Sequence, residues 1–242
     1  MTHRAPMTGG LAAVLAHPDD ESFGCAGALA IAHDRGAATR LLVATRGEAG
    51  AAEGASPDEF AELREKELVC AAKVIGLDEV SVLEGFADGA VADQSFDALV
   101  DEIATWLADR RPSAVVTFGP HGVTGHPDHV VVGSAARWAV ERLAATGQAP
   151  NAVYIISPVF SPAGNRYDLS AEEGAPTHRI DITDVASRRL TALECHASQE
   201  DAAEEVAALR AAIDAGRPIY EGYVRVRPSV PAPHPKFDTR LL

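Results

Sequence analysis

Short apolar runs alternate with longer amphipathic stretches through most of this sequence, and this alternation restricts the possible folds more than any other feature. The runs that predict strands are residues 11–16, 39–45, 80–83, 114–118, 152–157, 178–182 and 220–226. The stretches that predict helices are residues 22–35, 58–75, 96–107, 127–145, 185–196 and 201–215. Strands separated by helices usually pair in parallel, because the crossover between two parallel strands needs a connection of helix length. We therefore expect an α/β fold with a mostly parallel sheet flanked by helices, in a single domain over residues 1–242 with extended tails at 1–10 and 228–242.

The charge balance limits the kinds of partner that the chain can bind. Lys and Arg number 21 against 35 Asp and Glu, which gives a net charge of −14. This charge disfavours binding to nucleic-acid backbones and to anionic membranes. The sequence also lacks any apolar stretch near the roughly 20 residues that a membrane-spanning helix needs. We therefore expect a cytoplasmic protein that binds neither nucleic acid nor membrane, and the sequence leaves a homo-oligomer open.

The three cysteines, Cys25, Cys70 and Cys195, are odd in number and lie far apart within helical patterns. This arrangement is typical neither of a disulfide framework nor of a cysteine metal site. We expect all three to be small buried hydrophobic residues.

Two polar segments directly follow predicted strands. Residues 16–21 (Ala-His-Pro-Asp-Asp-Glu) follow the first strand, and residues 125–129 (Gly-His-Pro-Asp-His) follow the fourth. The carboxyl ends of parallel strands meet at one edge of a sheet, and buried charges are costly unless they are paired or bound to a metal. His17, Asp20 and His129 then supply three ligands, the number that a catalytic zinc ion uses while its fourth position holds water. Zinc is the first candidate, and Fe²⁺ or another divalent ion also suits these ligands.

Five segments together resemble the LmbE/PIG-L family of zinc-dependent N-acetylglucosaminyl deacetylases. They are residues 16–21, the Thr-Arg-Gly-Glu-Ala-Gly loop at 45–50, Arg64 with Glu67, residues 125–129, and His-Ala-Ser-Gln at 196–199. The resemblance implies a Rossmann-like fold without a bound nucleotide. It also implies a hydrolase that removes an acetyl group from the amine of an N-acetylglucosamine-type sugar or sugar conjugate, a small-molecule substrate. Consistent with this, the turn after the first strand has Gly24 and Gly27 but no G-x-G-x-x-G phosphate motif.

Hydrolysis of an amide needs an activated water, stabilisation of the oxyanion and an acid for the departing amine. The family resemblance assigns the role of general base to Asp19, the neighbour of the expected ligand Asp20. We expect His126 to donate a hydrogen bond to the oxyanion in its charged form, which the nearby Asp128 favours. Two simpler interpretations stay open, because aspartate is a common helix N-cap residue and His126 can merely begin a helix.

The other polar residues in and around these segments are candidates for binding the substrate. They are Arg46, Glu48, Arg64, Glu67, Thr124, His196 and Gln199. Arg64 and Glu67 are equally consistent with an i, i+3 pair on a helix surface. Thr124 stands where better-known sugar-cofactor deacetylases of the family carry a tyrosine. Threonine is shorter and a poorer proton donor, so the sequence leaves the identity of the sugar conjugate open.

Other classes of protein are also compatible with the candidate ligands. Two histidines and one carboxylate form the metal site of non-haem Fe(II) oxygenases, although the alternation of strands and helices disfavours that class. A non-catalytic metal- or sugar-binding module would not need Asp19. A polar cluster that holds no metal is the third alternative.

Overall fold

The computed structural model describes residues 9–50, 56–164, 167, 169–200, 202–228 and 240–242. The strands are β1 Leu11–Leu15, β2 Thr39–Val43, β3 Glu79–Val82, β4 Ala114–Thr117, β5 Ala152–Ser157, β6 His178–Asp181 and β7 Tyr220–Arg227. The helices are α1 Asp20–Gly24, α2 Ala26–Asp34, α3 Pro57–Ile75, α4 Phe96–Arg110, α5 Pro127–Ala144, α6 Ala186–Cys195 and α7 Ala202–Asp214. The strand order in the sheet is β3-β2-β1-β4-β5-β7-β6. The first five strands pair in parallel, and β7 runs antiparallel to β5 and β6. The predicted α/β fold with a mostly parallel sheet is therefore confirmed.

The centre of the sheet forms the core of the molecule. Strands β1, β2, β4 and β5 are buried along their whole length, whereas β3 at the sheet edge is half-buried. Continuous apolar runs such as Leu11–Leu15 are typical of parallel strands covered by helices on both faces. β1 lies between β2 and β4. From β1 to β3 the chain adds strands on one side of β1, and from β4 onward it adds them on the other side, so the strand order reverses between β1 and β4. The crevice beyond the carboxyl ends of strands at such a point is where open α/β sheets bind ligands.

The bounds of α3 follow from local signals. Ser56 precedes the helix, and its side chain accepts a hydrogen bond from the N–H of Glu59 at 3.4 Å. Pro57 occupies the first helical position, where its missing N–H costs nothing. The helix ends at Gly76, whose φ of 90° is a conformation that favours glycine. The observed helix therefore lies close to its predicted bounds of 58–75.

The helix predicted over residues 22–35 is divided into α1 and α2 at Cys25, which has a φ of −153°. The new helix start is capped by Glu221 of β7. Its two carboxylate oxygens accept hydrogen bonds from the N–H groups of Gly27 and Ala28, each at 2.8 Å. Because Glu221 lies 194 residues beyond Gly27, this cap is a tertiary contact that local periodicity does not reveal.

The expectation for the cysteines was wrong for two of them. Cys70 of α3 and Cys195 at the end of α6 form a disulfide with a Cα–Cα distance of 5.8 Å. Cys70 is exposed and Cys195 is half-buried, whereas Cys25 is buried and free as expected. The two bonded residues are 125 positions apart and are brought together by the packing of α3 against α6. The spacing of the cysteines in the sequence does not reveal that packing.

The expected tails at residues 1–10 and 228–242 lie largely outside the described residues, which exclude 1–8 and 229–239. Within the described part, Leu241 is buried against the hydrophobic core. None of the described helices combines the length and the apolar character needed to cross a membrane.

Candidate active site

The loops that leave β1, β2, β3 and β4 converge beyond the carboxyl edge of the sheet. Together with parts of β5 and β7 they surround a cavity of about 520 Å³. Its lining includes His17, Asp19, Asp20, Asp88, His126 and His129. The two polar segments predicted to meet at this edge therefore lie together, beside the point where the strand order reverses.

The donor atoms of His17, Asp20 and His129 face one another. His17 Nδ1 lies 3.2 Å from His129 Nε2, and Asp20 Oδ1 lies 3.3 Å from the same Nε2. His17 Nδ1 is 3.8 Å from Asp20 Oδ2, which accepts hydrogen bonds from the N–H groups of Ala16 and His17. Ligands about 2.1 Å from a tetrahedral zinc ion are about 3.4 Å from one another. The two separations that end on His129 Nε2 match this spacing, whereas Asp20 presents a different oxygen to each histidine.

The outer nitrogens of both imidazole rings face oxygen acceptors. His17 Nε2 lies 3.0 Å from a carboxylate oxygen of Asp88 and 3.3 Å from one of Asp128. His129 Nδ1 lies 2.9 Å from the carbonyl oxygen of Gly122. When each outer nitrogen donates its proton to these oxygens, the inner nitrogens are free to bind a cation. Metal-binding histidines are usually oriented in this way.

When no metal is bound, both ring nitrogens of His17 carry a proton. Burial lowers the pKa of His17, but its hydrogen bonds with Asp128 and Asp88 outweigh burial and raise the pKa to about 10. At neutral pH the ring is therefore positively charged when no ion is bound. A metal ion that binds His17 must displace that proton.

The cluster offers more donors than one ion uses. His17, His126 and His129 have donor atoms within 4.8 Å of one another, and so do His17, Asp88 and Asp128. Geometry alone therefore identifies a candidate metal site centred on His17, with several possible sets of ligands.

Asp19 has an unusual backbone and a carboxyl group with a raised pKa. Its φ of 125° is rarely adopted by residues other than glycine, and its N–H donates to a carboxylate oxygen of Glu21 at 3.1 Å. Arg64 donates from Nη2 to the Asp19 carboxylate at 2.8 Å and to the carbonyl of Pro18. Burial and then the charge of Asp20 raise the pKa of Asp19 to about 8, although Arg64 opposes them. The Asp19 side chain makes no capping hydrogen bond to α1, so capping does not account for it.

His126 immediately precedes α5, and its Nδ1 accepts a hydrogen bond from the N–H of Asp128 at 3.2 Å. Burial and then the charges of His17 and His129 lower the pKa of His126. Asp128 acts in the opposite direction, but its carboxylate bonds to His17 and to two N–H groups of the loop after β3. The expected charged form of His126 is thus disfavoured. In the neutral ring the proton lies on Nε2, which remains a hydrogen-bond donor.

Arg64 and Glu67 are buried rather than on the helix surface. Glu67 accepts hydrogen bonds from the N–H of Ser198 at 2.9 Å and from its hydroxyl at 2.7 Å. His196 is also buried, and its Nε2 lies 2.8 Å from a carboxylate oxygen of Glu21. Burial lowers the pKa of His196, but the charge of Glu21 outweighs it and the net shift is upward. Glu67 and His196 lie behind the cavity wall, whereas Arg64 reaches it.

The predicted substrate-binding residues divide into two groups. Arg64, Thr124 and Gln199 line the cavity, whereas Arg46, Glu48, Glu67 and His196 do not. Arg46 pairs instead with Glu65, and the carboxylate of Glu48 accepts a hydrogen bond from the N–H of Asp88 at 2.9 Å. Glu48 thus fixes the loop that carries Asp88.

Asp88 was not predicted as a site residue. It follows β3, lines the cavity, and accepts a hydrogen bond from the N–H of Ala49 at 3.0 Å in addition to its contact with His17. The rule that identified residues 16–21 and 125–129 also applies here, since Asp88 and Gly89 lie beyond the carboxyl end of a parallel strand.

The fold and the cavity define an α/β protein with a candidate metal site of histidines and carboxylates at the carboxyl edge of its sheet. The model of the PIG-L family, described as GlcNAc-PI de-N-acetylase, matches residues 12–140. This match spans more than half of the chain, and the chain belongs to that family.

Two relatives and one solved structure illustrate the similarity. The chain is 32% identical over 271 residues to the 1D-myo-inositol 2-acetamido-2-deoxy-alpha-D-glucopyranoside deacetylase of Nakamurella multipartita, covering 92% of this chain and 90% of that protein. It is 30% identical over 194 residues to the probable N-acetyl-alpha-D-glucosaminyl L-malate deacetylase 2 of Bacillus cereus, covering 78% and 83%. A crystal structure of a conserved protein from Thermus thermophilus superposes with a TM-score of 0.71 and 26% identity, covering 94% and 99%.

Proposed function

We propose that the chain is a metal-dependent N-deacetylase that removes the acetyl group from the amine of an N-acetylglucosamine-type sugar or sugar conjugate. The observation that carries this proposal is that His17 Nδ1 and Asp20 Oδ1 both lie within 3.3 Å of His129 Nε2, in a cavity that Asp19 also lines. The deacetylase names of the two relatives support the choice of substrate.

His17, Asp20 and His129 would hold the ion, because their inner donor atoms are oriented by hydrogen bonds on the outer side. His126 is a less suitable ligand, since its Nδ1 accepts a helix N–H. When bound there, a divalent ion such as Zn²⁺ lowers the pKa of water and polarises the amide carbonyl. Fe²⁺ is the second candidate.

Asp19 acts as the general base. It takes a proton from the attacking water and returns it to the departing amine. Arg64 orients the carboxylate through its 2.8 Å hydrogen bond. His126 donates from Nε2 to the carbonyl oxygen as negative charge develops there. Asp128 has no direct part in the chemistry and instead orients His17.

The sugar binds at the side of the cavity formed by the loops after β2 and β3. Asp88 and Arg64 provide a carboxylate and a guanidinium there, the groups that commonly bond to sugar hydroxyls. Thr124 and Gln199 add uncharged polar groups to the cavity wall.

The proposal is tested by incubating the metal-loaded protein with N-acetylglucosaminyl compounds and measuring released acetate. We expect acetate from wild type and retention of about one divalent ion. The His17→Ala, Asp20→Ala double variant should lose both. Stoichiometric metal in that variant would contradict the ligand assignment. Binding of the sugar without acetate release would instead favour a binding module, and oxygen consumption with a 2-oxo acid would favour an Fe(II) oxygenase.

A further inference from the structure

The cavity continues past the candidate metal ligands toward β5 and β7, where its wall becomes aromatic and apolar. The side chains of this aromatic half are Phe23, Ile156, Phe160 and Tyr220. The rings of Phe160 and Tyr220 lie 6.4 Å apart in an edge-to-face arrangement. The guanidinium carbon of Arg179 lies 4.6 Å from the centre of the Tyr220 ring, and this cation–π contact helps to fix the pair.

Among the residues that the structure describes, the charged groups that border the aromatic half are paired within the protein. Arg189 donates to a carboxylate oxygen of Glu205 at 2.8 Å. Both oxygens of Glu221 accept hydrogen bonds from the first N–H groups of α2, which they cap. A charged ligand group would have to compete with these contacts, whereas an apolar group gains contact with the rings. The aromatic half therefore favours an uncharged, apolar ligand group.

The direction of the substrate follows from the chemistry of its amide. The sugar and the acyl group lie on opposite sides of the scissile C–N bond. With sugar hydroxyls bound to Asp88 and Arg64 on one side of the candidate metal site, the acyl carbon chain points to the other side. The sheet places the loops after β2 and β3 on one side of β1 and β4, which lead into the candidate metal ligands, and places β5 and β7, which border the aromatic half, on the other side.

We infer that the aromatic half is an acyl-binding subsite and that the preferred substrates are N-acyl amino sugars whose apolar acyl group is longer than acetyl. This inference rests on the proposed deacetylase function. In the reaction, the oxygen of water bonds to the acyl carbon and the C–N bond breaks with its electron pair moving to nitrogen. The protons of water pass to the amine, so the products are a carboxylate and a protonated amino sugar.

The size of the effect follows from the apolar surface that the chain buries. Each methylene group buried in an apolar site contributes enough to change kcat/KM by about fourfold. Hexanoyl exceeds acetyl by four methylenes. If all four methylenes were fully buried, their individual factors would multiply. Because burial is incomplete, we expect a smaller increase in kcat/KM, of at least roughly tenfold from acetyl to hexanoyl.

The test is a series of N-acetyl, N-butanoyl, N-hexanoyl and N-benzoyl glucosamine, with kcat/KM measured from the released amine. We expect kcat/KM to rise along the alkyl series in wild type. Phe160→Ala and Tyr220→Ala should each lower the ratio of hexanoyl to acetyl kcat/KM by about tenfold, since each removes a ring from the subsite. The matched control is Trp138→Ala, which removes an aromatic ring that is 61% exposed and outside the cavity lining, and should leave the ratio unchanged.

Each outcome decides between explanations. A flat or falling series with acetate release intact overturns the subsite and leaves the proposed function standing. A rise in kcat/KM for a phenyl glycoside of N-acetylglucosamine, with a flat acyl series, assigns the aromatic half to the aglycone and also overturns the inference. Failure to cleave any amide overturns both proposals. Where circular dichroism shows that Phe160→Ala does not fold, the wild-type series and Tyr220→Ala decide.

Discussion

The conformation of Asp19 depends on groups both inside and outside the cavity lining. Glu21 accepts the Asp19 N–H and so holds the unusual φ of 125°, and His196 in turn lies 2.8 Å from Glu21. Arg64 holds the carboxylate itself. A strained conformation at a reactive residue persists when neighbouring groups fix it in this way. The general base and its support can therefore be separated by substitution.

Replacing Asp19 by asparagine tests the base. Asn keeps the size of the side chain, but it cannot take a proton. We expect kcat to fall by roughly 10²- to 10⁴-fold while the bound metal is retained, as measured by acetate release and elemental analysis. The exposed acid Asp93 supplies the control, and Asp93→Asn should keep wild-type kinetics. Wild-type kcat in Asp19→Asn would show that the base lies elsewhere.

Replacing His126 tests the oxyanion donor. His126→Ala should lower kcat by about 10²- to 10³-fold with little change in KM, because the donor acts on charge that develops in the transition state. Steady-state kinetics measure both constants. An increase in KM at constant kcat would assign His126 to substrate binding instead.

Replacing His196 by glutamine should change the pH dependence of stability. The pKa of His196 is raised in the folded state, so the stabilisation by its charged form is complete below the unfolded pKa of about 6.5 and is lost as the pH rises through the folded pKa. Breaking a buried ion pair costs about 3 kcal/mol or more, so the loss at pH 6 should be of this order and should shrink at higher pH. Urea unfolding of the metal-free proteins measures it, with the exposed His33→Gln as control. A loss that does not vary with pH would reject the ion pair as its cause.

Helix α3 connects the cavity to the rest of the molecule. Three of its residues, spaced by three, make contacts of this kind. Arg64 bonds to the Asp19 carboxylate and Glu67 accepts a hydrogen bond from Ser198. Cys70 is joined to Cys195 by the disulfide. Residues at this spacing share one helix face. Because that face meets α6, the disulfide fixes the position of the helix that holds Arg64 against Asp19.

The disulfide should contribute strongly to stability. Its bonded residues are 125 positions apart, and closing a loop of that length in the unfolded chain stabilises the fold by up to about 4–5 kcal/mol. Cys195→Ser should therefore shift the urea midpoint down, and a reducing agent should shift wild type to a similar value. The Cys70→Ser, Cys195→Ser double variant serves as control, since it should match the single variant and ignore the reductant. A wild-type midpoint that does not respond to reduction would contradict the bond.

At the scale of the whole molecule, a bound ion should join separate parts of the chain. His17 follows β1 and His129 lies in α5, so an ion held by both links segments 112 residues apart. A ligand that binds the folded state alone stabilises it by about 2.7 kcal/mol at a concentration 100 times its Kd. We expect zinc added to the chelator-treated protein to raise Tm in a concentration-dependent way, as measured by calorimetry. His129→Ala should lose that dependence, and an equal response in the variant would move the ion away from this site.

The sequence predicted the sheet and the meeting of His17 with His129, because buried parallel strands have a distinct apolar pattern and their carboxyl ends share one edge. It also predicted α3, whose serine cap and terminal glycine are local signals. The cap that Glu221 places on α2 and the Cys70–Cys195 bond were not predictable from local patterns. These contacts depend on which elements pack together, and neither residue spacing nor periodicity records that. The neutral form of His126 likewise follows from charges brought close by folding.

The position of β7 has a consequence for the synthesis of the chain. Every segment that matches the family motifs has been translated by Gln199, yet β7 spans Tyr220–Arg227 and supplies both the neighbour of β5 and the cap of α2. At about 5–20 residues per second, a ribosome needs roughly one to six seconds to add that strand. During this interval β5 has an unpaired edge, the kind of edge that pairs with strands of other chains. Nascent chains are thus still open to misassembly after all their motifs have been made, and ribosomes that follow closely on one message bring other copies near that edge.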